Sequence, residues 1–207
     1  MTKPLKFYDN IALEVCSEDG ILDFDTVFSQ SGPVEIEIGS GKGTFLLSQC
    51  RQFIDTNFIG IEWASKYYRF AVDRLGRWDI KNVRMIRTDA AVFIDEHLAE
   101  DSVSGYHIYF PDPWPKARHN KRRLICLKNL MLMHRSLKSN GFINIATDHE
   151  QYFQWICRHI SDCGEAFVQA EYILPAGAGR GEMAGTNFER KYLKQNRKVY
   201  TVAIRKN

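Results

Sequence analysis

The chain has 207 residues, 44% hydrophobic and 26% charged, the composition of an ordinary globular protein long enough to bury a sizeable core. No apolar run is long enough to cross a bilayer as a helix and none reads as a signal peptide, which points to a cytoplasmic protein without a membrane partner. The net charge of +3 hides two basic runs, five Lys/Arg within 116–123 and seven within 190–207, on a remainder holding 16 basic and 25 acidic residues; that pattern fits a localised polyanion site.

In chain order, PVEIEIG (33–39) predicts a first strand and TFLLSQCRQF (44–53) a helix after it. NFIGIE (57–62) is a second strand, and KYYRFAVDRLGRW (66–78) has apolar residues at helical spacing. VRMIR (83–87) is a third strand, followed by a short helix around AAVFIDEHL. GYHIYF (105–110) and LICLKNLMLMHRSL (124–137) repeat the unit, as do GFINIA (141–146) and EQYFQWICRHI (150–160). AFVQAEYI (166–173) and KVYTVAIR (198–205) are the last strands, with no helical pattern between them. The segment joining them contains PAGAGRGEMAG (175–185), whose four glycines predict a mobile loop. This order predicts an open, mostly parallel sheet with helices on both faces and an antiparallel final strand. With no internal repeat and no boundary, a single domain over 1–207 is expected, its first 32 residues irregular and packed on the sheet edge. The five cysteines are scattered without a C-x-x-C pair, which predicts reduced thiols and no metal.

EIGSGKG (37–43) places Gly39, Gly41 and Gly43 between the first strand and its helix, where glycines let backbone N–H groups approach a ligand. Acids stand at consecutive strand ends: Glu37, Glu62, Asp89 and Asp112. Glu62 lies near the offset at which an acid meets ribose hydroxyls in this topology. Four carboxylates would repel a pyrophosphate and favour a cofactor with an amino group and a sulfonium cation, S-adenosylmethionine rather than NAD. The stretch YFPDPWPKARHNKRRL (109–124) then sets Asp112 in a proline-stiffened corner beside the basic strip. Both Asp112 and Trp114 precede a proline and are expected in extended backbone.

The combination EIGSGKG, GIEW, RTDA, FPDPWPKARHNKRR, TDHE and GTNFERK, running from residue 34 to the C-terminus, resembles the bacterial tRNA (guanine-7-)-methyltransferase family. The resemblance implies a Rossmann-like class I S-adenosylmethionine-dependent methyltransferase fold with a seven-stranded sheet. It also implies methyl transfer to N7 of a guanosine in the tRNA variable loop, with no obligatory protein partner, by a monomer or homodimer. Glu37, Gly39, Glu62, Trp63, Asp89, Ala90 and Asp112 would then surround the methyl donor, Asp112 being also the catalytic residue, a carboxylate that orients the base and offsets the charge developing on it. Lys116, Asp148 and Thr186, Asn187, Phe188 and Glu189 would meet the guanosine, and Arg118, Lys121, Arg122 and Arg123 the RNA. Under this reading Asp148 and Glu189 accept hydrogen bonds from the guanine N1–H and amino group. Guanine N7 has an in-plane lone pair and no proton, so the task is alignment rather than base catalysis. Pro115 and Lys42 depart from the family pattern, as does a short segment before the first strand, which leaves RNA affinity resting on the two basic runs. An amine methyltransferase, a silent RNA-binding protein and a dehydrogenase are the rival readings.

Overall fold

A computed structural model describes residues 4–195 and 197–207, leaving out the side chain of Tyr192. Seven strands form one sheet: β1 (Val34–Ile38), β2 (Asn57–Ile61), β3 (Val83–Ile86), β4 (Val103–Tyr109), β5 (Leu137–Thr147), β6 (Phe167–Ala170) and β7 (Tyr200–Lys206). Their spatial order is β3-β2-β1-β4-β5-β7-β6, and β7 runs antiparallel between β5 and β6. The helices are α1 (Phe24–Val27), α2 (Thr44–Gln52), α3 (Ser65–Arg77), α4 (Ala90–His97), α5 (Leu127–Ser136), α6 (Glu150–Asp162) and α7 (Asn187–Leu193). Strand order reverses between β1 and β4, which opens a crevice above their carboxyl ends, where ligands bind in such sheets.

Alternation along the strands sorts side chains into two cores. Ile36 and Ile38 of β1, Ile59 and Ile61 of β2 and Tyr106 and Ile108 of β4 pack with residues of α4, α5 and α6. On the opposite face Phe45 and Leu46 of α2 and Ala71, Val72 and Leu75 of α3 cover Phe58, Met85 and Tyr109. The glutamates of VEIEI fall on this second face: Glu35 reaches Nε2 of His107 at 2.8 Å, while Glu37 stands one step nearer the crevice. The N-terminal segment adds a parallel bridge to the sheet edge, with Leu13 N–H donating to Met85 O at 2.8 Å and Met85 N–H to Ile11 O at 2.7 Å.

Three expectations change. A helix, α7, stands between the last two strands where no helical pattern was read. Its signal lies in the stretch Thr186-Asn187-Phe188-Glu189, where Thr186 caps the helix: its Oγ1 accepts from Glu189 N–H at 3.1 Å. The glycine-rich loop is tied down: Gln49 donates to Ala176 O at 2.7 Å, Tyr172 to Met183 O at 2.8 Å, and Arg190 pairs with Glu182 at 2.8 Å. Trp114 has φ of 42° rather than extended backbone, and Phe110 has φ of 53°, so the proline corner is flanked by two non-glycine residues in the left-handed region. Arg123 holds it there, donating to Pro113 O at 2.9 Å and to Trp114 O at 3.4 Å. Such conformations cost about 1–3 kcal/mol each and persist where the surroundings over-determine them.

Among the described residues no helix is long and apolar enough to cross a membrane, and no His/Cys/Asp/Glu cluster could hold a metal.

Candidate active site

At the β1/β4 reversal a cavity of about 460 Å³ opens between the glycine turn, the end of β4 and the start of α7. That size lies in the range of small-molecule sites. Gly39, Gly41 and Gly43 have φ of 80°, 53° and 66°, a backbone other residues adopt only with strain, so the turn folds tightly against the strand ends. A Cβ at Gly39 would meet nothing within 4 Å. Glu62 braces the turn from behind: Oε2 accepts from Gly41 N–H and Oε1 from Ala64 N–H, both at 2.8 Å. Thr44 Oγ1 accepts from Arg74 at 2.6 Å and from Asn187 Nδ2 at 2.8 Å, which joins α2, α3 and α7 at the cavity rim.

Glu37 lines this cavity, is 3% exposed, and its Oε2 has no hydrogen-bond partner among the described residues. Burial pushes its carboxyl up to about 8, a Ser40 hydrogen bond opposing and the Glu62 charge adding to the effect. It therefore holds a proton at neutral pH and gains from a cationic or donating partner. Tyr109 closes the floor; its hydroxyl lies 2.9 Å from His107 Nδ1, and burial raises it well above the usual phenol range.

Of the residues singled out in the sequence, Glu37, Gly39, Thr186, Asn187 and Phe188 line the cavity, while Glu62 acts through the turn. Trp63 is 72% exposed, and Asp89 is the N-cap of α4, accepting from Ala91 and Val92 N–H at 2.8 and 3.2 Å. Neither they nor Ala90, Asp112 or Lys116 is in the cavity wall. Asp112 is exposed on the strand-end side, three residues beyond Tyr109, and has no hydrogen bond or ion pair among the described residues. Asp148 is paired with Arg197 at 2.7 Å.

Two assignments need correction. Glu189 is fully buried, and its carboxylate accepts from the backbone N–H groups of Met183, Ala184 and Gly185, the last two at 2.8 Å. With its oxygens spent on the loop, it fixes the backbone that carries Asn187 and Phe188 instead of reading a base. Arg123 is 8% exposed, with its guanidinium over the rings of Tyr152 (5.2 Å) and Trp155 (4.5 Å). It is an internal brace for the proline corner. Arg118, Lys121 and Arg122 are exposed on the 3-10 helix Ala117–Arg122, Arg122 lying 5.1 Å over the Trp114 ring. The sequence reading missed Ser40, Tyr67, Tyr109 and Lys191 as cavity residues. Ser40 sat inside the glycine turn in plain view, whereas nothing local marks Tyr67 or Lys191.

Residues 31–202 match a family described as "Putative methyltransferase". The tRNA (guanine-N(7)-)-methyltransferase of Corynebacterium glutamicum is 41% identical over 140 residues, covering 67% of this chain and 55% of that one. The match to this chain thus spans little more than half the length of that relative. The enzyme of the same name from Myxococcus xanthus is 30% identical over 211 residues, covering 100% and 99%, and that of Nitrosomonas europaea is 35% identical over 173, covering 84% and 76%. Among solved structures, an aminoglycoside resistance methyltransferase superposes with a TM-score of 0.61 at 14% identity over 93% of this chain and 94% of that one. A SAM-dependent methyltransferase from Aquifex aeolicus gives 0.58 at 12% over 86% and 84%. These two share the fold.

Proposed function

We propose that this chain, which belongs to the tRNA (guanine-N(7)-)-methyltransferase family, is a single methyltransferase domain of the cytoplasm that methylates N7 of a guanosine in the variable loop of tRNA. The observation that carries the reading is the buried carboxyl of Glu37, whose Oε2 has no partner among the described residues, facing a glycine-turn cavity at the point where strand order reverses.

The residues present fit S-adenosylmethionine. Glu37 offers a carboxyl to a positively charged group, and the open space above Gly39 leaves a ligand room against the turn. Glu62 holds that turn in place. Asp89 and Trp63 stand at the neighbouring strand ends, where the adenosine moiety would be flanked. When bound, the cofactor supplies the activated methyl group. The chain's own residues then align the base, since guanine N7 needs no proton removed. Asp112, rigidly presented by the corner that Arg123 braces, would orient the base and offset the positive charge developing on it. Asn187 and Phe188, carried on the anchored start of α7, would meet the guanosine at the cavity rim, with Lys116 and Asp148 beside it. The exposed cations Arg118, Lys121 and Arg122 supply contacts to RNA phosphates. No protein partner is required in this reading, and the enzyme works as a monomer or homodimer.

Methyl transfer from labelled S-adenosylmethionine to unmodified tRNA transcripts tests it, with wild type beside Asp112→Ala and chain cleavage at 7-methylguanosine to locate the product. The expected result is cleavage at one variable-loop guanosine that the substitution abolishes. Label in adenine or cytosine would assign the chain to amine methylation, and cleavage at a guanosine outside the variable loop would correct the position.

A further inference from the structure

A second cavity, of about 530 Å³, lies between the N-terminal segment, the first turns of α3 and Arg87, the residue that follows β3. The start of α3 separates it from the active-site cavity: Tyr67 lines the latter, while Ser65, Tyr68 and Arg69 line the former. Both cavities therefore open at the carboxyl edge of the sheet.

Several independent features of its wall call for an anion. Arg69 and Arg87 make no hydrogen bond or ion pair among the described residues. The N-terminus of α3 has no side-chain cap and no acid in its first turn, where Lys66 stands instead. Cations at that end of a helix oppose its dipole, and the uncapped N–H groups add positive potential of their own. Tyr68 lines the cavity, and its hydroxyl, which makes no hydrogen bond among the described residues, keeps contact with solvent there. Burial raises that hydroxyl, Glu14 adding and Arg87 opposing, so both charged groups act on it.

The acidic residues of the same cavity narrow the choice of anion. Asp19 is occupied by Cys16, whose N–H and Sγ lie at 2.8 and 3.2 Å, but Glu14 is not engaged. A carboxylate lining the same cavity as two arginines disfavours a polyphosphate and suits a ligand that joins one phosphate to a group with N–H donors. Phe7, 54% exposed, offers an aromatic surface in the same wall. These are the requirements of a single nucleotide.

We propose that this cavity is a second RNA subsite, taking one nucleotide of the substrate chain with its phosphate on Arg69, Arg87 and the Tyr68 hydroxyl and its base against Phe7 and Glu14. It rests on the proposed action on tRNA and adds a contact on the far side of α3 from the target base.

The test is filter binding of an unmodified tRNA transcript across a salt series, with wild type, Arg69→Gln/Arg87→Gln and Tyr68→Phe. S-adenosylmethionine binding is followed by calorimetry in parallel. The double substitution should weaken tRNA binding about tenfold and reduce the slope of log K against log salt by about one, as for loss of a phosphate contact. Cofactor affinity and the turnover rate at saturating tRNA should be unchanged, because neither arginine enters the other cavity. Tyr68→Phe, which keeps the buried ring, should weaken tRNA binding in the same direction. Unchanged tRNA affinity and slope in the double variant overturn the subsite and leave the methyltransferase reading intact. A wild-type chain that neither binds nor methylates tRNA overturns both.

Discussion

Replacing Glu37 with Gln should make the protein more stable at neutral pH, by an amount that depends on pH in a defined way. The carboxyl titrates at 4.5 when unperturbed and is pushed up to about 8 by burial. Below pH 4.5 it is protonated in the folded and the unfolded chain and has no effect. Between the two values the folded protein keeps the proton that the unfolded chain has lost, so stability declines as pH rises and the loss is complete above about 8. At roughly 1.4 kcal/mol per pH unit, the carboxyl costs about 3 kcal/mol at pH 7 and about 5 kcal/mol at pH 9. Glutamine has the same shape and no ionisation, so the variant escapes this decline, with a pH-independent offset for its own buried amide. Urea denaturation of both proteins at pH 5, 6, 7 and 8 reads the difference directly. The stability gap should widen in favour of Glu37→Gln by about 1.3 kcal/mol per unit around pH 6–7 and by about 1 kcal/mol from pH 7 to 8, where the folded carboxyl begins to ionise. A gap that stays constant from pH 5 to 8 would refute the buried, protonated carboxyl and with it the main physical argument for a cation-binding cavity.

Other outcomes follow from the same geometry. If Glu37 receives the cationic cofactor, S-adenosylmethionine binding at pH 7 should release close to one proton, about 0.9 from the titration arithmetic. Calorimetry in buffers of different ionisation heat should show that release, and Glu37→Gln should abolish it. Glu189→Ala should destabilise by about 3 kcal/mol or more, since it leaves three backbone donors without an acceptor; hydrogen exchange should speed up at Met183, Ala184 and Gly185 before the sheet. Arg123→Gln should cost about 2–4 kcal/mol by removing the brace of the proline corner. Arg122→Gln, at an exposed neighbour, should leave the denaturation midpoint within about 0.5 kcal/mol of wild type while weakening tRNA binding. Equal losses of stability in the two variants would contradict the different placement of these adjacent arginines.

The strand and helix alternation was open to reading because each core strand carries a run of apolar, β-branched residues and each helix an apolar stripe. Those periods are local properties of the chain. Parallel order, the crevice at the strand ends and the glycine turn then follow from topology rules that need no coordinates. The helix α7 escaped because it is only seven residues long, too short for a period to show. Its N-cap threonine, Thr186, was nevertheless written in the sequence. The loop before it looked mobile because glycines record only what a backbone is permitted to do. What holds it is side-chain hydrogen bonding that only the folded chain brings together: Gln49 from 127 residues away, and Tyr172 and Glu189 from either side of the loop.

By itself the sequence determined the fold class, the glycine turn, the acids at the strand ends and the presence of two basic runs. It did not determine which charged side chains are available to a ligand. Glu37 and Glu189 are both buried acids, yet one has an oxygen without a partner and the other accepts three amides. Arg122 and Arg123 are neighbours, yet one faces solvent and the other lies against two aromatic rings. Composition and spacing state what a residue can do. Only packing decides how many of its hydrogen-bonding groups remain unspent, because whether a partner reaches it depends on how the chain folds back, even when that partner is only a few residues away, as for Glu189.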